Sequence, residues 1–323
     1  MMRFVCFLAA VWPVLAAVDG VVMNGTTGKA QAGATVTLYQ VSPAGPEPLE
    51  SVKSGADGAW KIDKPFNGRG FLQTAYDGVT YNQMLRPGVP TVGMSLAVFN
   101  VSPKMGADIK ITNHMLLLEP QGDKLAVRES YFFSNEGKLT WNDSANGTLR
   151  FIVGQELIGP VDVNATAPQG MPIRRAAEKG RGAGEMKVDF PIKPGETRID
   201  LAYTFKYASP ARFQTKFLLP AMQAMIAVPN GVTLKGAGIK EEGKEPTTQA
   251  SIFRVETQTL DLVMEGSGEL NPAGGEGEEG ASKGPAIEQI KARPYDKLPL
   301  LLGLAFAILA CGFALLYRSE AKK

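Results

Sequence analysis

Cysteine and histidine are nearly absent from this chain of 323 residues, which contains two cysteines and a single histidine. One histidine is too few for zinc sites built from two or three histidines, including the H-E-x-x-H motif. The formal net charge of +2 is near neutral and gives no reason to expect a nucleic acid or another polyanion as a partner. The composition therefore argues against histidine-based zinc enzymes and nucleic-acid-binding proteins.

The first cysteine lies in an apolar N-terminal segment. Cys6 belongs to the run Phe4–Leu15, which follows the positive charge of Arg3 and precedes Ala16 and Ala17. A charged start, a short apolar run and small residues are typical of a secretory signal peptide. The pattern predicts a signal peptide over residues 1–17, and an uncleaved N-terminal anchor is the alternative.

The second cysteine lies in an apolar C-terminal segment. Cys311 belongs to Leu298–Tyr317, a stretch of about 20 uncharged residues that is long enough to cross a bilayer as a helix. A basic tail, 318–323, follows it and favours a cytoplasmic C-terminus. We expect a single-pass membrane protein with its body outside the cytoplasmic membrane and its tail in the cytoplasm. A buried helix at the end of a soluble domain is the alternative.

The expected exterior body contains no cysteine between these two segments. This excludes a disulfide-stapled fold there, and it equally excludes a thiol nucleophile or a thiolate metal site.

The body has the alternation of apolar and polar residues that is typical of β-strands. Glycine, proline and asparagine turns separate these runs, and we find no long amphipathic helix between Val18 and Glu265; Ile173–Lys179 is expected to form one or two helical turns at most. The fold class predicted is all-β, with sandwiches. The expected strands include Ala34–Tyr39, Ile111–Leu118, Lys124–Tyr131, Ile199–Tyr207 and Ile252–Val263. In the fourth of these, alternation places Ile199, Leu201, Tyr203, Phe205 and Tyr207 on one face.

Composition shifts divide the body into predicted domains. A boundary is expected near residues 100–108, between a compact β-sandwich over 18–100 and a larger second β-sandwich-like domain over 108–265. The segment 266–296 is rich in glycine and glutamate, which predicts a flexible linker to the membrane helix at 298–317.

The first predicted domain resembles the carboxypeptidase regulatory-like domain, which is a transthyretin-like sandwich. The motifs that carry the resemblance occur in order: Asp19–Val22, Thr27–Lys29, Ala32–Leu38, Ala56–Ile62 and Phe71–Tyr76. The resemblance implies a module that carries no catalysis. It also places the domain in a carbohydrate-binding-like fold group, where sugar binding is an analogy at the level of the fold.

The whole layout, with this domain first, a second β region and one C-terminal apolar segment, resembles bacterial envelope proteins. It implies the bacterial cytoplasmic (inner) membrane, with the body in the periplasm or outside the cell.

Tyr76, Asp77, Tyr81 and Asn82 surround the turn at Asp77-Gly78 and form the first candidate site. Aromatic rings next to carboxylate and amide groups suit a sugar-binding edge. The alternative is that the tyrosines stabilise a hairpin as cross-strand pairs.

Four basic residues, Arg174, Arg175, Lys179 and Arg181, form the second candidate site, in a predicted glycine-bearing loop. Such a loop suits phosphate, anionic lipid or an acidic partner. The alternative is an ordinary solvated loop.

No motif indicates an enzyme or a bound cofactor. His114 is a candidate ligand or pH-sensitive contact, but a strand residue with a satisfied ring is the simpler interpretation. No G-x-S-x-G motif is present, and a Ser-His-Asp triad would have to use His114. We expect a non-catalytic, membrane-anchored envelope protein without cofactor or metal, whose exterior domains bind or scaffold an envelope protein. Carbohydrate binding at the surface is the alternative.

Overall fold

The structure of the protein is a computed structural model that describes residues 18–64, 69–86, 88–154 and 157–270. These residues form strands, turns and bends, and no helix occurs among them. The predicted all-β class is confirmed for this part of the chain. The strands before residue 103 are β1 (Val18–Asn24), β2 (Lys29–Ala30), β3 (Thr35–Ser42), β4 (Gly45–Lys53), β5 (Ala59–Ile62), β6 (Gly70–Tyr76), β7 (Val79–Leu85), β8 (Met94–Val98) and β9 (Val101–Ser102).

The strands after residue 103 follow one another closely along the chain. They are β10 (Ile109–Gln121), β11 (Lys124–Asn135), β12 (Thr140–Trp141), β13 (Leu149–Ile152), β14 (Asp162–Thr166), β15 (Ile173–Lys179), β16 (Glu185–Val188), β17 (Gly195–Lys206), β18 (Ala211–Lys216), β19 (Ala224–Val228), β20 (Val232–Ala237), β21 (Ile239–Lys244), β22 (Ser251–Val255) and β23 (Thr259–Gly266).

The N-terminal strands form two sheets. One has the order β2-β1-β5, with β8 parallel to β1, and the other has the order β4-β3-β6-β7. Val36 and Leu38 of β3 and Leu72 of β6 are buried, together with Val22 and Ile62 from the other sheet. Alternation along each strand sends these apolar side chains into one shared core.

A large sheet dominates the second part of the described chain. Its order is β13-β16-β15-β14-β17-β11-β10-β19-β22-β21, and a smaller sheet has the order β18-β23-β20. Ile199, Leu201, Tyr203 and Phe205 of β17 are all buried, which confirms the predicted face of that strand. The long strands β10, β11 and β17 are neighbours and form the centre of a second core.

Two local predictions are wrong. The run Ile173–Lys179 is the strand β15 and not a short helix, because β14 and β16 pair with its backbone on either side. The run Ile252–Val263 is not one strand, because the chain turns between β22 and β23 and these two strands belong to different sheets.

Several predictions fall outside the described residues. These are the signal peptide at 1–17, most of the linker at 266–296, the membrane helix at 298–317 and the tail at 318–323. In the part of the chain that the structure covers, no helix is long and apolar enough to cross a membrane. At the start of the predicted linker, Gly268 donates to the carbonyl of Pro120 (3.1 Å) and Leu270 donates to the Glu119 carboxylate (3.1 Å).

The buried apolar residues form two clusters. One extends from Val18 to Val98 and the other from Ile109 to Met264. All described residues nevertheless belong to a single compact unit. The domain boundary near residues 100–108 stays a prediction, and the two clusters are called the first and the second core below.

Candidate partner-binding cleft

A cleft of about 510 Å³ lies between the parts of the chain that hold the two cores. One wall comes from β7 and β8, and the other comes from residues 167–175 and 189–194. Arg175, Lys193 and Asp189 are the charged side chains among the described residues of its lining. The cleft therefore brings residues of both predicted sites together, namely Tyr81 and Asn82 with Arg175.

The β6–β7 hairpin positions the first wall. Tyr76 pairs with Val79, so that Asp77 and Gly78 form a two-residue turn. Both turn residues have positive φ, 49° and 74°, as the right-handed strand twist favours in such hairpins. The turn fixes the register of β7 and with it the positions of Tyr81 and Asn82.

The first candidate site is used largely for internal contacts. The Tyr76 hydroxyl donates to the Asn100 side chain (3.3 Å), and the Asp77 carboxylate accepts from the Val101 amide (3.2 Å). Tyr81 is only 9% exposed, and its hydroxyl lies 3.1 Å from the Phe99 carbonyl and 2.9 Å from the Thr140 hydroxyl. Among these residues, Tyr81 and Asn82 line the cleft, while Tyr76 and Asp77 support the hairpin behind it.

The prediction that the four basic residues lie in a loop is wrong. Arg174, Arg175 and Lys179 lie on β15, and Arg181 lies in the turn that follows it. Because side chains alternate along a strand, Arg174 and Arg175 point to opposite faces of the sheet. Arg175 lines the cleft, and its guanidinium carbon lies 5.5 Å from the centre of the Phe190 ring.

Sequence reasoning missed Lys193. Its Nζ lies 5.2 Å from the centre of the Tyr81 ring and donates to the Thr80 carbonyl across the cleft. Burial, together with the charge of Arg175, lowers the pKa of Lys193 from 10.5 to about 8. The available sequence signal was a lysine in the segment between Pro191 and Pro194, next to the alternating apolar residues Phe190 and Ile192. This pattern does not reveal which strand the lysine contacts.

A second polar cluster is closed to solvent inside the second core. The Glu129 carboxylate accepts from the Tyr131 hydroxyl (2.6 Å) and from the Tyr203 hydroxyl, and it lies 2.9 Å from His114 Nε2. The His114 ring also stacks on Tyr131, with ring centres 4.0 Å apart. His114 is 1% exposed and Glu129 is 3% exposed. This geometry agrees with the simpler interpretation of His114, a strand residue whose ring is satisfied by its neighbours.

The cluster keeps the Glu129 carboxylate ionised in an apolar core. Burial by itself would raise the pKa of Glu129, but the hydrogen bond and charge of His114 and the two tyrosine hydroxyls lower it below its ordinary value of 4.5. Burial and the neighbouring carboxylate raise the pKa of Tyr131 and of Tyr203 well above 10.0. Both phenols therefore stay protonated as donors.

The described residues do not provide a set of metal ligands. No group of three or more histidine, cysteine, aspartate and glutamate side chains there is arranged to hold a metal ion.

No protein-family model matches the chain, and the search of curated proteins gives no match. Among solved structures, the M1 zinc metallopeptidase from Deinococcus radiodurans is similar at 13% identity and a TM-score of 0.26, covering 49% of this chain and 42% of that chain. A mutant of that enzyme gives 13% identity and a TM-score of 0.27, covering 51% and 44%. This chain spans less than half the length of those structures, and a similarity of this size carries no argument about fold or activity.

Proposed function

We propose that the protein is a non-catalytic, membrane-anchored component of the bacterial envelope, and that its exterior β body binds a protein partner at the cleft. The observation that carries the proposal is the cleft itself, in which both walls contribute recognition groups. Arg175 and Lys193 supply positive charge, and Asn82, Gln83 and Gln169 supply amides. Met171 and Ile173 at the rim are 58% and 41% exposed and supply apolar area. This combination suits a protein interface.

The proposal of a non-catalytic role rests on where the acid–base groups lie. The carboxylate, imidazole and phenols that could exchange protons with one another are enclosed in the second core, where a substrate has no access. The open cleft contains no histidine, since His114 is the only one in the chain.

The finer features of the proposal come from the sequence. The transthyretin-like identity of the first part rests on the motifs between Asp19 and Tyr76, and two four-stranded sheets around a shared core are compatible with it. Export and anchoring rest on the apolar segments 4–15 and 298–317.

Carbohydrate binding at Tyr76 and Tyr81 stays a prediction. Sugar recognition by an aromatic ring needs a free ring face. In this structure Lys193 lies over one face of Tyr81, and both tyrosine hydroxyls are already hydrogen-bonded. We therefore favour the protein partner.

Crosslinking and affinity purification of the full chain from its own membranes tests the proposed function. A form without residues 298–317 and an Arg175→Glu variant are compared with the wild type. The proposal predicts specific envelope proteins with the wild type and their loss with Arg175→Glu. Recovery of the same proteins by Arg175→Glu and wild type would contradict partner binding at the cleft.

A further inference from the structure

β7 is an edge strand whose unpaired side faces the cleft. In the described part of the chain it pairs with β6 and with no other strand. Residues Val79 to Gln83 of this strand line the cleft. An unpaired strand edge presents a row of backbone donors and acceptors that can pair with another chain.

The hairpin fixes which backbone groups of β7 face away from β6. In a two-residue hairpin the residues that flank the turn, here Tyr76 and Val79, exchange both backbone hydrogen bonds. Alternate residues then point their N–H and C=O away from β6, namely Thr80, Asn82 and Met84. The bond from Lys193 Nζ to the Thr80 carbonyl agrees with this assignment. Because that carbonyl is occupied, an added strand would pair at Asn82 and Met84 or displace this bond.

The opposite edge of the same sheet is protected. β4 carries Pro46 and Pro48, which have no N–H, together with the acidic Glu47 and Glu50. Prolines and charges of this kind prevent a sheet edge from accepting a further strand. β7 reads Val-Thr-Tyr-Asn-Gln-Met-Leu and has neither a proline nor a charged residue. One edge of the sheet is thus closed by its sequence, and the edge at the cleft is open.

The surroundings of this edge define the chemistry of an added strand. Arg175 and Lys193 outnumber Asp189, so the cleft favours a negative ligand. Met171 and Ile173 offer exposed apolar surface to side chains on one face of such a strand. Lys193 already contacts the β7 edge, so a carboxylate beside Thr80 would meet its ammonium group.

We infer that the free edge of β7 accepts an extended segment of a protein partner as an additional strand, and that this segment is acidic and has apolar residues at alternate positions. The inference rests on the proposed function, because it names the class of partner that the cleft binds. Backbone pairing supplies affinity in this mode, while the flanking side chains supply specificity.

Substitutions at Asn82 separate the contribution of the backbone to partner binding from the contribution of the side chain. Asn82→Pro removes the N–H that faces the cleft, and a proline is tolerated at an edge position of this kind. Asn82→Ala removes the side chain and keeps the N–H. Arg175→Glu reverses a charge in the cleft, and Lys240→Glu reverses an exposed charge on β21 as its control.

The probe is a phage-displayed library of linear dodecapeptides, selected on the full chain in detergent micelles. We expect enrichment of acidic peptides with alternating apolar residues. The selected peptides should bind Lys240→Glu as they bind the wild type, and they should bind Asn82→Ala, which keeps the N–H, more tightly than Asn82→Pro. They should bind Asn82→Pro and Arg175→Glu at least about tenfold more weakly. Near-ultraviolet circular dichroism identifies any variant that fails to fold. If Asn82→Pro fails to fold, Arg175→Glu still tests the inference, because Arg175 lies on an exposed strand.

Three outcomes would overturn the inference: no enriched peptide, enrichment without acidic residues, or equal binding by Arg175→Glu and Lys240→Glu. Failure here is distinguishable from failure of the proposed function. If membrane partners are still lost with Arg175→Glu in the affinity purification, the cleft binds a partner by another geometry. If an oligosaccharide array binds the wild type while the peptides do not, the ligand is a glycan.

Discussion

Glu129 is the residue on which the polar cluster in the second core depends. Replacing it by alanine leaves the hydroxyls of Tyr131 and Tyr203 and the ring of His114 without their shared acceptor. We expect Glu129→Ala to lower the free energy of unfolding by about 3 kcal/mol, since each unsatisfied buried group costs on the order of 1–3 kcal/mol. Urea unfolding followed by tryptophan fluorescence measures this, with Glu47→Gln on exposed β4 as the control. A loss equal to that of the control would show that the cluster does not stabilise the fold.

The same carboxylate predicts a dependence of stability on pH. The pKa of Glu129 is lower in the folded chain than its ordinary value of 4.5. Its contribution is therefore fully present above about pH 4.5 and is lost as the pH falls below that value toward the folded-state pKa. We expect the stability difference between wild type and Glu129→Gln to shrink between pH 6 and pH 3. A difference that stays constant over this range would contradict the assignment.

The sequence allowed only part of this cluster to be predicted. Alternation placed Tyr203 on the buried face of β17, and the structure confirms it. Glu129 occupies the buried phase of β11, between Val127 and Tyr131, but alternation cannot tell which strand supplies its partners. His114 and Tyr203 come from the strands on either side of β11, and that register is a non-local property.

Strand pairing in the N-terminal part leads to a prediction about Gly20. It lies opposite Met94 where β1 and β8 run parallel, and a Cβ at Gly20 would lie 1.9 Å from the Met94 backbone oxygen. We expect Gly20→Ala to destabilise the protein by about 2 kcal/mol or more, because backbone has to move. Gly106 has no atom within 4 Å of such a Cβ and an ordinary φ, so Gly106→Ala is the matched control for thermal unfolding. Equal melting temperatures for the two variants would show that β1 and β8 are not this close.

Strands with strong alternation were predictable, whereas a strand with a weak pattern and a turn without glycine or proline were not. β11 and β17 alternate over most of their length, and both were expected from the sequence. β15 has burial on neither face, so its pattern is weak, and only pairing with β14 and β16 holds it extended. The break between β22 and β23 was missed because both runs are apolar in alternation and the turn between them lacks glycine and proline.

A buried hydrogen bond links the parts of the chain that hold the two cores. Tyr81, in the first core, hydrogen-bonds to Thr140, which is fully buried at 0% exposure. A double-mutant cycle with Tyr81→Phe and Thr140→Val should give a coupling free energy of about 1 kcal/mol in urea unfolding. Additive effects would mean that the two parts are not coupled through this bond.

For the two cores, the sequence predicted where strand-rich regions lie along the chain but not how these regions pack together. It predicted strand-rich regions on both sides of residues 100–108, and the two cores lie on those two sides. It did not predict that a hairpin from the first and residues 167–175 and 189–194 from the second form one cleft. That geometry depends on Tyr81, Thr140 and Lys193, which are far apart along the chain and carry no local motif.

Site-specific photo-crosslinking in living cells tests partner binding at the cleft. A photoreactive amino acid replaces Gln83 in the cleft, and the same amino acid replaces Gln214 on β18 as an exposed control of the same residue type. Partner binding at the cleft predicts a discrete protein adduct at position 83 that is absent at position 214 and is lost when Arg175→Glu is added. Adducts of equal yield at both positions, or an adduct at position 83 that Arg175→Glu leaves unchanged, would contradict partner binding at this cleft.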